Sequence, residues 1–181
     1  MNSFDARVRY TRMVIEQCFL DLLQKKPVGK ITVTELCEMA QINRATFYKH
    51  YLDVPNVLEK MEEQLFNQIK VILNSPAQLE TLLVDMLRYM QTDGTRYMVL
   101  GSDNGDPNLM TKTFTICYES VYPILKQNLP QIPEGKRQML YSFLSHGGGG
   151  LLTCWIKGGL KESPEEVAAF ILELCYKATS K

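Results

Sequence analysis

Arg44, Ala45, Thr46, Tyr48 and Lys49 stand within six residues of one another, and their types suit a base edge or a phosphate. Guanidinium and ammonium groups neutralise phosphate charge, hydroxyls and phenols donate to phosphate oxygens, and a small methyl fits against a thymine methyl. At about 100° per residue in a helix, Ala45 and Lys49 share one face, flanked by Thr46 and Tyr48, while Phe47 and Tyr51 turn the other way. Arg44, in the first turn, is long enough to reach a base or a phosphate. The competing reading is a small helical hairpin with a solvated polar face.

Other constellations carry less chemistry. Gly147-Gly148-Gly149-Gly150 is not followed by Lys-Ser or Lys-Thr, and Leu152 stands where a dinucleotide fingerprint needs its last glycine. Ser145 and His146 adjoin without a Gly-x-Ser-x-Gly elbow. Cys18, Cys37, Cys117, Cys154 and Cys175 are odd in number and widely spaced, and the chain has two histidines. No metal site is expected from that set. Buried, reduced thiols are expected, with a thiol sensor as the alternative. Neither an enzyme nor a cofactor is expected.

The elements that must position the basic cluster follow from periodicity and caps. Residues 7–26 read as an amphipathic helix with Ile15, Cys18, Phe19, Leu22 and Leu23 on one stripe, ended by Pro27 and Gly29. Thr32-Val33-Thr34-Glu35 is a capping box, and Val33, Leu36, Cys37 and Ala40 form the stripe behind it. After Gln41-Ile42, Asn43 caps a second short helix over 44–51, with Ile42 and Phe47 as a hydrophobic staple. Two short helices across a three-residue turn have helix-turn-helix spacing, in which the second helix enters the major groove.

Charge agrees only when the chain is divided. The 181 residues balance 20 basic against 20 acidic side chains, yet residues 1–51 carry a net +3 and the remainder −3. Asymmetry of that kind hints at nucleic-acid contact by the basic part, although an excess of three also arises by chance. With 45% hydrophobic and 22% charged residues, the composition is that of a globular protein with a sizeable core. No apolar run reaches membrane-spanning length, and the first residues lack the apolar centre of a signal peptide. A cytoplasmic protein without membrane contact is expected.

Lys30-Ile31-Thr32-Val33, Glu35-Leu36, Ala40 and the run Thr46-Phe47-Tyr48-Lys49-His50-Tyr51 resemble the TetR family of bacterial transcriptional regulators over residues 7–65. The resemblance implies an all-α homodimer, with N-terminal three-helix DNA-binding domains and C-terminal domains that dimerise and bind a ligand. By that likeness Thr32 and Thr34 hold phosphates, Arg44, Ala45 and Lys49 face bases, and Thr46, Tyr48 and His50 touch the backbone. Two residues depart from the family pattern. Gln41 occupies a turn position usually held by glycine, and Val54 stands where a lysine often meets phosphate.

Beyond Asp53, helices are expected over 54–73, 77–91, 107–128, 134–158 and 164–178, with Asn74-Ser75-Pro76 as a break and Ser163-Pro164-Glu165-Glu166 as a start. Leu140, Leu144, Leu151 and Trp155 keep helical period through the glycine run. Four helical glycines cost about 4 kcal/mol relative to alanine. Either close helix approach across a dimer interface offsets this, or the run is a flexible break. In the resembled family the last two long helices form a four-helix bundle with their mates, which would place Gly147, Gly148, Leu151, Trp155, Phe170 and Leu174 at the interface. Met86, Tyr89, Met90, Tyr97, Met98, Phe114, Cys117 and Tyr118 are the adaptable and aromatic types that line pockets, and equally those that fill cores.

The expectation is therefore a DNA-binding domain over 1–52 and a regulatory, dimerising domain over 53–181. The functional expectation is a dimeric repressor on a near-palindromic double-stranded operator, released by a small-molecule effector. The alternatives are an activator and a helical scaffold that has lost DNA binding.

Overall fold

In a computed structural model that describes residues 3–75 and 77–179, the apolar periodicity resolves into eight α-helices. They are α1 (Ser3–Leu23), α2 (Val33–Met39), α3 (Arg44–Tyr48), α4 (Val54–Leu73), α5 (Leu79–Leu100), α6 (Leu109–Asn128), α7 (Glu134–Lys157) and α8 (Pro164–Thr179), with one short 3₁₀ turn at Val28–Lys30. No strand occurs among the described residues, so the fold is all-α. None of the described helices is long and apolar enough to cross a membrane. Pro76, expected to break the chain, lies outside the described residues.

Three elements differ from expectation for local reasons. α1 stops at Leu23 rather than residue 26, because its end tightens into a turn in which Lys25 N–H bonds Leu22 O at 2.9 Å. α3 is shorter than 44–51, although the Tyr51 amide still reaches Phe47 O at 3.0 Å. α5 runs nine residues past the expected end at 91, through Gly94. That glycine is buried, and a Cβ there would stand 3.0 Å from Ile156 Cδ1. It makes room for a packed neighbour and does not end the helix.

The chain divides into two compact units, residues 1–65 with 98–109, and residues 66–97 with 110–181. In the first, Ile15, Phe19, Leu23, Leu36, Phe47, Val57 and Met61 are fully buried. The Glu16 carboxylate accepts from the Tyr51 hydroxyl and from Gln64 Nε2, both at 2.9 Å. The α5–α6 turn belongs to this unit: Asn104 Nδ2 donates to Leu23 O at 2.9 Å, and Asn104 O accepts the Val28 amide at 2.8 Å. Gly105 lets that turn close tightly, since a Cβ there would lie 2.1 Å from Leu100 O.

In the second unit Tyr118 and Tyr122 stack at 4.5 Å, and Tyr141 meets Tyr118 edge-on at 4.9 Å. The Glu134 carboxylate takes the Tyr122 hydroxyl and Arg137 Nη1, each at 2.7 Å, fastening the end of α6 to the start of α7. α8 opens with a complete capping box, Ser163 N–H to Glu166 Oε2 at 2.8 Å and Glu166 N–H to Ser163 Oγ at 3.2 Å.

The thiols are less sheltered than expected. Only Cys37 is buried, Cys18, Cys117 and Cys175 are half-buried, and Cys154 is exposed. Cys154 lies outward because its neighbour Trp155 turns inward, one 100° step around α7. Burial pushes the thiols of Cys18, Cys37, Cys117 and Cys175 upward, that of Cys117 to about 11. These four are poor nucleophiles at neutral pH.

Candidate functional site

Two caps fix the direction of the basic cluster. Thr32 Oγ1 accepts the Glu35 amide at 3.2 Å, and Asn43 Oδ1 accepts the Thr46 amide at 2.7 Å, so α2 and α3 begin where the caps predict. The other half of the expected capping box is replaced. The Glu35 carboxylate pairs with Lys26 Nζ at 2.5 Å, a contact that also lowers the affinity of Glu35 for a proton. A cation nine residues away competes better for that carboxylate than an amide already close to water.

From this scaffold Phe47 and Tyr51 point into the core, with rings 5.8 Å apart. Thr32, Thr34, Arg44, Ala45, Tyr48 and Lys49 are exposed, and Thr46 and His50 are half-exposed. The face thus presents two cations, a phenol, three threonine hydroxyls and a methyl. Arg44 Nη2 donates to Thr34 Oγ1, so the guanidinium is already held by the preceding helix. Burial first, then the Arg12 and Lys49 charges, lower the proton affinity of His50. It therefore offers hydrogen bonds at neutral pH and little charge. Val54 is buried and belongs to the core, not to the exposed face. Gln41 adopts φ of 55°, the left-handed conformation that glycine takes without penalty.

The second unit holds a cavity of about 360 Å³, open on one side. It is lined from five helices, by Leu73 of α4, Leu82, Leu83 and Met86 of α5, Cys117, Val121 and Leu125 of α6, Tyr141 and Leu144 of α7, and Ile171 and Cys175 of α8, among others. Of the eight expected pocket residues, Met86 and Cys117 line it. The others project elsewhere, because helical rotation and not residue type sets direction. Met90 and Tyr97 are buried, and the Tyr97 hydroxyl bonds Thr113 Oγ1 at 3.1 Å. Tyr89 bonds Asp93 at 3.1 Å, Tyr118 stacks on Tyr122, Phe114 abuts Gly149, and Met98 belongs to the first unit. Sequence reading missed the leucines and Cys175, whose only signal is a broad apolar face.

On α7, Met139, Phe143, Gly147, Gly150 and Cys154 recur every three or four residues and are all exposed. Phe170 and Leu174 of α8 are exposed too. Gly148 and Leu151 are half-buried beside the stripe. Trp155, expected at the pairing face, is buried inside its own unit and donates Nε1–H to Glu162 O at 3.1 Å. The glycine run is continuous helix. Its members divide by surroundings. A Cβ on Gly149 would stand 2.7 Å from Phe114 Cζ, whereas Gly147, Gly148 and Gly150 have nothing within 4 Å.

Among the described residues no group of three His, Cys, Asp or Glu side chains is placed to hold a metal. A TetR-type family model for the transcriptional regulator C-terminal region matches residues 77–177. An uncharacterized HTH-type transcriptional regulator of Bacillus subtilis, YxbF, is 38% identical over 60 residues, 33% of this chain and 16% of that protein. The chain is also similar to the solved structure of a TetR transcriptional regulator from Streptococcus agalactiae, with 26% identity, a TM-score of 0.70, and 96% of this chain and 99% of that one covered. NalD of Pseudomonas aeruginosa, described as the secondary repressor of a multidrug efflux pump, shares the fold at 15% identity and a TM-score of 0.66, over 94% of this chain and 96% of its own.

Proposed function

The chain belongs to the TetR family of DNA-binding transcriptional regulators, and from that premise we propose that it is a cytoplasmic, dimeric repressor released from a near-palindromic operator by a small molecule. The observation that carries the reading is the exposed face of α2 and α3, where Thr34, Arg44, Tyr48 and Lys49 stand together while Phe47 and Tyr51 anchor the helix from behind. Arg44 and Ala45 read bases, Lys49 reads a base or neutralises a phosphate, and Thr32, Thr34, Thr46, Tyr48 and His50 bond the backbone. Val54, buried in the core, supplies no phosphate contact of its own, so backbone contacts rest on the threonines, Tyr48 and His50.

The exposed stripe on α7, with Phe170 and Leu174 of α8, is the surface through which two copies pair. Pairing sets the separation of the two reading helices, and a ligand that prefers one separation changes operator affinity by its differential binding. Selection of duplexes from a random pool, followed by mobility shifts over a range of salt, tests the reading. Enrichment of a two-fold sequence bound by two copies is the expected result. Failure to enrich any sequence at low salt overturns it. A reporter driven by the enriched sequence then reads the sign of regulation.

A further inference from the structure

We infer that the cavity of the second unit takes an uncharged molecule with a hydrocarbon body and one hydrogen-bonding end, and that this molecule is the effector. Only the second clause rests on the proposed function; the first stands on the lining alone.

Among the described residues no Asp, Glu, Lys, Arg or His lines the cavity. Its walls are largely aliphatic, and three polar side chains among them already donate to carbonyls of their own or neighbouring helices. Ser145 Oγ donates to Tyr141 O at 2.7 Å, the Tyr141 hydroxyl to Phe114 O at 2.9 Å, and Thr179 Oγ1 to Cys175 O at 2.9 Å. A carboxylate, phosphate or ammonium brought inside would lose its water and meet no opposite charge. A hydrocarbon body loses nothing on entry and covers surface that is otherwise bare. Asn128 is the amide in the lining. It is exposed, its amide donates to Ile124 O at 2.9 Å, and its carbonyl oxygen and second amide proton suit a hydroxyl or carbonyl on the ligand. Leu79 and Tyr176 are also exposed lining residues, which places the mouth on their side.

The experiment uses the whole chain and three ligands of equal length: decanol, decanoate and decylammonium. Each competes at neutral pH against the neutral fluorescent probe N-phenylnaphthylamine. Decanol is expected to displace the probe at a concentration about tenfold or more below either ion. Equal potency of an ion overturns the inference. Because the exposed stripe on α7 also offers apolar surface to such probes, the position is read on the unaltered protein by iodoacetamide labelling at alkaline pH, where the raised thiols react, and peptide mass spectrometry. Decanol is expected to slow modification of Cys117 and Cys175, which line the cavity, and to leave the exposed Cys154 unchanged. Protection of Cys154 alone overturns the assignment. Val121→Trp and Ile171→Trp, which fill the cavity, should weaken displacement by about tenfold. If either fails to fold, the labelling decides. Decanol that binds in the cavity without altering affinity for the enriched duplex removes the effector clause and leaves the site standing. If no duplex is enriched, the regulator reading fails separately.

Discussion

The Tyr51 hydroxyl donates to the Glu16 carboxylate at 2.9 Å, and Gln64 reaches the same oxygen from α4. One acidic group on α1 therefore ties the end of the reading helix to the helix that follows. Burial, then the Glu16 charge, pushes the Tyr51 phenol up to about 12. An unfolded tyrosine titrates near 10, so this contribution is complete below pH 10 and is lost as pH rises through about 12. Tyr51→Phe should cost about 1–2 kcal/mol at neutral pH and reduce the alkaline decline. Tyr122, also raised to about 12 by burial and by Glu134, keeps part of that decline. Urea unfolding at a series of alkaline pH values measures both effects.

Arg44 leans on Thr34 before any DNA is present, which limits the side-chain freedom lost on binding. Arg44→Ala should lower affinity for the selected operator by about 1–3 kcal/mol and relax preference at one base position. Lys49→Ala, if its ammonium meets a phosphate, should reduce the salt slope by about one unit and leave base preference alone. Thr34→Val frees the guanidinium and should weaken binding by less than Arg44→Ala does. Fluorescence anisotropy on matched and mismatched duplexes at several salt concentrations separates these effects. An Arg44→Ala protein with unaltered discrimination would move Arg44 from the bases to the backbone.

Gln41 holds φ of 55° in the turn between α2 and α3. A side chain there costs about 1–2 kcal/mol, part of which glycine would give back by loosening the unfolded chain. Gln41→Gly should therefore raise stability by up to about 1 kcal/mol, read as a higher melting temperature. A lower one would mean that the glutamine makes a compensating contact.

The glycine run makes opposite predictions at neighbouring positions. Gly149→Leu forces Phe114 and Met110 aside and should cost the isolated protomer about 1–3 kcal/mol or more. Gly150→Ala meets nothing and should stabilise the protomer by about 1 kcal/mol through helix propensity alone. Gly150→Leu should instead interfere where two copies approach. Thermal unfolding and sedimentation velocity on the three proteins separate effects within a chain from effects between chains. A dimer indifferent to Gly150→Leu would remove the glycines from the pairing surface.

Features that depend on near neighbours were readable in advance. The Thr32 and Asn43 caps and the inward turn of Phe47 and Tyr51 follow from spacing within one or two turns. Features decided by distant partners were not. Lys26 draws Glu35 away from the capping box, Ile156 explains Gly94, and Glu162 explains why Trp155 faces inward. The cavity was hardest to foresee. Its wall is made of leucines from five helices, and a leucine facing a hollow has the same periodicity as one facing a neighbour.

The α5–α6 turn lies in the same unit as α1 to α3, so the backbone passes between units three times, near residues 65, 97 and 109. No single cut releases an intact reading head. A fragment ending at residue 65 would lack Asn104, which bonds Leu23 and Val28, together with the buried Leu100 and Leu109. Chimaeras that exchange reading heads between relatives would need to carry residues 98–109 with the head, or supply a matched replacement. Asn104 grips backbone atoms at Leu23 and Val28, so the turn holds the end of α1 whatever side chains stand there, although about 80 residues separate them along the chain.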